Sequence, residues 1–139
     1  MTNIDFYILS ATDRQARLNF ACRLIEKTYR LGNRIFVACN DETEMTELDS
    51  LLWSFNPESF IPHTLLNSNQ NESVEIGSTH DCGDHHQLLI NLSNQIPAYF
   101  SRFERMCEIV IQDEAILKRT RKNWAFFKQR GYPVASHKL

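Results

Sequence analysis

The sequence predicts an α/β fold: one three-layer domain with a mostly parallel central sheet flanked by helices. Three observations carry this expectation. Two short apolar runs rich in β-formers, residues 4–9 (IDFYIL) and 34–39 (RIFVAC), are each followed by a stretch with helical periodicity. The order strand–helix–strand–helix favours right-handed crossovers and parallel pairing. No internal repeat or linker interrupts the 139 residues, so residues 1–139 are read as a single domain, long enough to bury a core.

The elements follow in order. After the first strand, Thr12 with Gln15 forms a capping-box pattern, and Leu18, Ala21, Cys22, Ile25 and Tyr29 then recur at helical spacing. Gly32, just past Leu31, is the expected left-handed stop. The second strand leads to Asp41 with Glu44, again a capping box, and Met45, Leu48 and Leu52 form the inner stripe of the next helix. Asn56-Pro57 ends that helix near Trp53 or Ser54, because the residue before a proline is driven out of the helical region. Residues 67–73 read as a polar loop, 74–76 as a short strand, 88–92 (LLINL) as a better one, 97–103 as a turn of helix, and 108–111 (EIVI) as the last strand. A C-terminal helix opens at Asp113 and Glu114, whose charges suit its N-terminal dipole. Gly131, Tyr132 and Pro133 close it.

Residues 51–63 (LLWSFNPESFIPH) are unusual in placing Trp53, Phe55, Phe60 and Ile61, with Pro62, in an irregular segment. Loops lie at the surface, so this apolar area either tucks back as core or is offered to a partner. The C-terminal helix is the second signal. Lys118, Arg121 and Lys122 share a face, Lys128 follows seven residues after Arg121, and Trp124 stands three residues beyond it. A solvated basic face is the ordinary meaning of such a run. Rings beside cations also suit an acidic peptide ending in an aromatic residue, or single-stranded nucleic acid. Composition leaves both open.

Charge is unevenly distributed. Residues 35–101 carry ten acids and no Lys or Arg, whereas the segment from Asp113 onward carries seven basic residues against two acids. That segment is about +5 and the remainder about −7, within a net charge of −2. A duplex-binding surface would spread more basic charge than this. No apolar run approaches the roughly 18 residues that span a bilayer, and the acid in MTNIDFYIL does not suit a signal peptide. Cys22, Cys39, Cys82 and Cys107 are scattered, three of them in apolar segments, as reduced cytoplasmic cysteines are.

Catalytic patterns are weak. The opening is Rossmann-like, but SATDRQA follows the first strand without the glycines that let backbone wrap a pyrophosphate, so a nucleotide-binding loop is lacking. The run His80-Asp81-Cys82-Gly83-Asp84-His85-His86 is the best metal candidate, with ligand types that zinc accepts. It lacks paired CxxC spacing, a second cluster or HExxH, and is read as a solvated turn before a strand. Cys39 at a strand end has no partner base marked in sequence and reads as a core residue. No cofactor, metal or catalytic residue is expected.

Taken together, FYIL at residues 6–9, RIFVACND at 34–41, LLW at 51–53, PESFIPH at 57–63 and RKNWAFFKQRGYPV at 121–134 resemble the chi subunit family of bacterial DNA polymerase III holoenzyme in order and spacing. The likeness covers nearly the whole chain and is weakest between residues 67 and 87. It implies a non-enzymatic cytoplasmic replication adaptor. Trp53, Phe55, Phe60, Ile61 and Pro62 would dock a psi-like subunit of the clamp loader. Lys118, Arg121, Trp124, Lys128, Gly131 and Tyr132 would hold the acidic C-terminal tail of single-stranded-DNA-binding protein, with Arg121 matching the family's tail-binding arginine and Trp124 replacing a usual tyrosine. Leu117 stands where the family has a lysine. A repair helicase is a further partner, and contact with DNA is mainly indirect. A direct single-stranded nucleic-acid binder using the basic helix, and a small metal-dependent hydrolase, are the other classes.

Overall fold

In the computed structural model, residues 1–66 and 72–139 are described, so most of the loop expected at 67–73 lies outside the described residues. The strands are β1 (Asn3–Ile8), β2 (Ile35–Ala38), β3 (His63–Leu65), β4 (Val74–Gly77), β5 (Leu88–Asn91), β6 (Arg105–Val110) and β7 (Val134–Lys138). The helices are α1 (Arg14–Arg30), α2 (Glu42–Ser54) and α3 (Glu114–Gln129), with a 3-10 turn at Phe100–Arg102. The strands form one sheet in the order β3-β4-β2-β5-β6-β1-β7, and each neighbouring pair is parallel. The expected mostly parallel sheet is therefore entirely parallel among the described residues.

Alternate residues of each strand face opposite layers. On one face, Leu18, Ala21, Cys22 and Ile25 of α1 and Leu48 and Leu52 of α2 pack on Ile35, Val37, Ile76, Ile90 and Ile109. On the other, Phe100, Phe103 and Phe127 pack on Ile4, Phe6, Phe36, Leu89 and Met106. Both α1 and α3 end in the same way. The amides of Gly32 and Asn33 donate to the carbonyls of Tyr29 and Thr28, and those of Gly131 and Tyr132 to Lys128 and Phe127. Each glycine has the positive φ this closure requires.

Several element boundaries differ from expectation. Asp13, not Thr12, is the N-cap of α1, and its side chain makes no capping bond. Asp41 does cap α2, accepting from the Glu44 amide at 2.8 Å, but the Glu44 carboxylate reaches back one residue further, to the Asn40 amide at 2.9 Å. The strand expected at 108–111 begins at Arg105 and is not the last. Strands β3 and β7 had no signal of their own. HTL and VASHK are short and largely polar, and become strands by pairing with β4 and β1. No helix among the described residues is long and apolar enough to cross a membrane.

Candidate functional site

In open parallel sheets, ligands lie in the crevice beyond the carboxyl ends of the strands. Here that region holds a network of the protein's own polar groups. Arg17, 8% exposed, donates to the carbonyls of Ile109 at 2.9 Å and Leu92 at 3.2 Å. Buried Glu108 accepts from Asn91 at 3.1 Å and from Asn123 of α3 at 3.4 Å. Burial raises the Glu108 carboxyl above its ordinary value, against the lowering effect of the two amides and of Arg17 and Arg119. Asn40, which follows β2, and Asn94, which follows β5, meet across the same end, where the Asn94 amide donates to Asn40 Oδ1 at 2.7 Å. All four cysteines are buried, and burial pushes the Cys22 and Cys107 thiols up to about 12 and raises Cys39 further. Cys39 thus sits as a core residue.

The aromatic segment divides into exposed and buried parts. Trp53 is 53% exposed and Phe60 71%, and their rings lie 5.8 Å apart, centroid to centroid. The Trp53 ring rests on buried His63, at 4.5 Å. One ring nitrogen of His63 is 2.7 Å from the Ile61 carbonyl, and the other is 3.3 Å from the Asp49 carboxylate. Phe55 is half-buried against the α1–α2 layer. Ile61 departs from its expected place: just before β3, it is 2% exposed and belongs to the core cluster that includes Leu48 and Leu52 of α2. Pro62 is half-buried. The apolar area available to a partner therefore comes from Trp53 and Phe60, with Asp49 and Glu58 beside them. A groove of about 700 Å³ lies between α1 and α2, lined by Gln15, Leu18, Glu42, Thr46, Glu47 and Leu51 among others.

The C-terminal helix presents its cations as expected. Lys118, Arg121 and Lys122 are exposed, and none forms an ion pair among the described residues. Trp124 is half-buried, with its ring 5.2 Å from Phe6 of β1. The cation over its face is Lys128, 5.7 Å from the ring centroid. Tyr132 is half-buried and packs on Phe100 at 5.2 Å, and Leu117 is half-buried against the same layer. A Cβ at Gly131 would meet nothing within 4 Å, so the surface beside Tyr132 is open. Sequence reasoning missed Arg130, whose guanidinium lies 4.5 Å over the Phe126 ring, and Asn123, which ties the helix to Glu108. An acid inside the apolar run EIVI was the available clue to the second.

The His-rich loop is the solvated turn expected except at two residues. His80, Asp81, Asp84 and His86 are exposed, but Cys82 is 1% and His85 0% exposed. The Arg102 guanidinium lies 3.3 Å from the Cys82 sulfur, and His85 Nε2 lies 2.8 Å from Glu75 Oε1 on β4.

The sheet order sharpens the charge division. The span from 35 to 101, with ten acids and no Lys or Arg, supplies β2, α2, β3, β4 and β5, which occupy one end of the sheet. The rest of the chain, with fifteen Lys and Arg against seven acids, supplies β6, β1 and β7 at the other end, together with α3, and also α1, which lies beside α2 and pairs Arg14 with Glu44 and Glu47. Edge strands β3 and β7 are six strand spacings apart, about 29 Å. Trp53 and Phe60 belong to the acidic end, and Arg121 and Trp124 to the basic end.

Residues 1–135 match the family described as "DNA polymerase III chi subunit, HolC". A DNA polymerase III subunit chi of Pseudomonas aeruginosa is 40% identical over 139 residues, covering 100% of this chain and 98% of that protein. Proteins of the same name from Haemophilus influenzae and Escherichia coli are 26% and 24% identical, each covering at least 95% of both chains. The crystal structure of T4 UvsW superposes with a TM-score of 0.72 at 8% identity over 99% of this chain. The chain spans 41% of the length of that structure, and the likeness concerns the fold alone.

Proposed function

From the premise that this chain belongs to the DNA polymerase III chi subunit family, we propose that it is a non-catalytic cytoplasmic adaptor with two docking surfaces at opposite ends of its sheet. Trp53 and Phe60, flanked by Phe55 and Pro62, dock a psi-like subunit of the clamp loader by burying aromatic area. The acidic surroundings suit a partner segment that carries basic residues beside its apolar anchors. Arg121, with Lys118, Lys128, Trp124, Gly131 and Tyr132, holds the acidic C-terminal tail of single-stranded-DNA-binding protein. Arg121 supplies the cation, Lys128 over Trp124 a second, and the open turn at Gly131 beside Tyr132 a seat for a terminal aromatic side chain. Leu117, in place of the family's lysine, removes one cation from this face and lowers affinity for the tail.

The observation that carries the proposal is the separation of an exposed aromatic pair, on the acidic side of the sheet, from a basic face on α3 that forms no ion pair among the described residues. Such spacing lets both partners bind at once, as a link between a clamp loader and DNA-coating protein requires. The test is fluorescence anisotropy of a labelled acidic peptide ending in Asp-Phe-Pro-Phe, with and without its final phenylalanine. Wild type and Arg121→Ala are titrated at low and physiological salt, beside an oligo-dT of similar charge. Saturable binding that needs both the last phenylalanine and Arg121, and weakens with salt, supports the adaptor. Tight oligo-dT binding without peptide preference sinks it in favour of direct single-stranded nucleic-acid binding.

A further inference from the structure

The environment of His85 has no role in either docking surface. His85 and Glu75 are 0% and 6% exposed, and His85 Nε2 is 2.8 Å from Glu75 Oε1. The ring packs on Phe36 with centroids 5.6 Å apart. Its Nδ1 is sealed from solvent and has no hydrogen-bond partner among the described residues. Neither protonation state satisfies this site. A neutral ring donating to Glu75 leaves a buried lone pair on Nδ1 and an uncompensated carboxylate. A protonated ring leaves a buried N–H with no acceptor.

Asp84 brings a second carboxylate. One ligating atom from each of Glu75, Asp84 and His85 lies within 4.8 Å of the other two. The cation near Asp84 is Arg34, with one contact at 3.5 Å to a side chain that is 76% exposed, an arrangement a multivalent ion can displace. The backbone holds the three in place. Glu75 lies within β4, between β3 and β2 in the sheet. The Gly83 amide donates to Asp81 Oδ1 at 2.9 Å, Gly83 has φ +61, and the His85 amide donates to the Cys82 carbonyl at 3.3 Å. That tight turn lays His85 against the sheet and leaves Asp84 at the mouth of the site.

We propose that Glu75, Asp84 and His85 form a binding site for a divalent transition-metal cation, with water completing the coordination. An imidazole with two carboxylates is a donor set that zinc accepts and that magnesium, which prefers oxygen alone, does not favour. The ion cancels the two carboxylate charges and takes the lone pair of one ring nitrogen. Its consequence is to pin the connection between β4 and β5 to the sheet.

The test uses the full chain stripped with a chelator and titrated with zinc chloride against a chromophoric zinc indicator. One equivalent should bind, and magnesium should not compete. Asp84→Asn, at an exposed position where folding is not at stake, should weaken binding about tenfold or more, and should remove the rise in Tm that zinc causes in wild type. His80→Ala with His86→Ala should leave affinity unchanged. Long-range proton–nitrogen NMR should show zinc shifting the His85 ring nitrogens, a readout that does not depend on any variant folding. Absence of stoichiometric binding overturns the proposal. So does binding that survives Asp84→Asn in full or is lost with His80 and His86, which would mean adventitious capture by exposed histidines.

Discussion

The rings of Trp53 and Phe60 lie 5.8 Å apart at an interplanar angle of 51°, although six residues, the Asn56-Pro57 break among them, lie between them. The turn that joins them is made locally, by the Ser59 amide donating to the Asn56 carbonyl at 2.9 Å and the Glu58 amide to Asn56 Oδ1 at 3.2 Å. An aromatic pair held on such a turn is preorganised for docking and contributes little to the core.

Phe60→Ala should therefore separate binding from stability. Truncating an exposed aromatic anchor is expected to weaken association with a psi-like subunit by about 2 kcal/mol or more, roughly thirtyfold. Thermal unfolding should change by no more than about 0.5 kcal/mol, since the side chain is 71% exposed. Calorimetric titration and a melting curve on the same sample check both halves.

Arg121 and Trp124 should behave in opposite ways. Arg121 is exposed, so Arg121→Ala is expected to leave stability within about 0.5 kcal/mol while removing most peptide binding. Trp124 packs on Phe6 at 5.2 Å, so Trp124→Ala should cost about 2–3 kcal/mol of stability in addition to any effect on the peptide. Urea unfolding of the two variants distinguishes them.

The pH dependence of stability should carry the mark of Glu108. Its folded-state carboxyl lies above the ordinary value because of burial, so between the unfolded and folded values the native state holds the extra proton. Stability from this group is complete below the unfolded value, near 4.5, and is lost as pH rises through the folded one. Glu108→Gln keeps an acceptor for Asn91 and Asn123 but cannot ionise. The expected result is a higher Tm at pH 7 than wild type, with the difference vanishing toward pH 4.

Gly131→Ala should isolate backbone strain. A Cβ there meets nothing within 4 Å, but φ is +80. The cost should be about 1 kcal/mol in chemical denaturation, without a packing defect. Gly77→Ala should be far worse, because its Cβ would come 2.6 Å from the Phe36 ring.

Much of the site could be read from local pattern. The basic face of α3 follows from spacing, and its closing turn from Gly131, Tyr132 and Pro133, because helix periodicity and left-handed closure are properties of a few consecutive residues. The exposure of Trp53 and Phe60 was one of two outcomes that the broken aromatic segment allowed. The burial of Ile61 and His85 could not be read in this way. Each lies in an irregular segment, where periodicity assigns no face, and each is buried by tertiary packing: Ile61 in the core cluster of α1, α2 and the sheet, and His85 against Glu75 of β4 and Phe36.

The sequence by itself determined the α/β class, the helices, the five inner strands and the uneven distribution of charge, since these depend on neighbours within about a dozen residues. Only the tertiary structure decided where β1 goes. It inserts between β6 and β7, with Ile4 opposite Met106 and Val134, and so makes a strand of VASHK, whose own side chains would not sustain one. The same insertion gathers the basic ends of the chain at one end of the sheet and leaves the acidic middle at the other. The reason is physical: burial of both faces of β1 and hydrogen bonding along both its edges are satisfied only by partners 102 and 130 residues away, and no local pattern records that pairing.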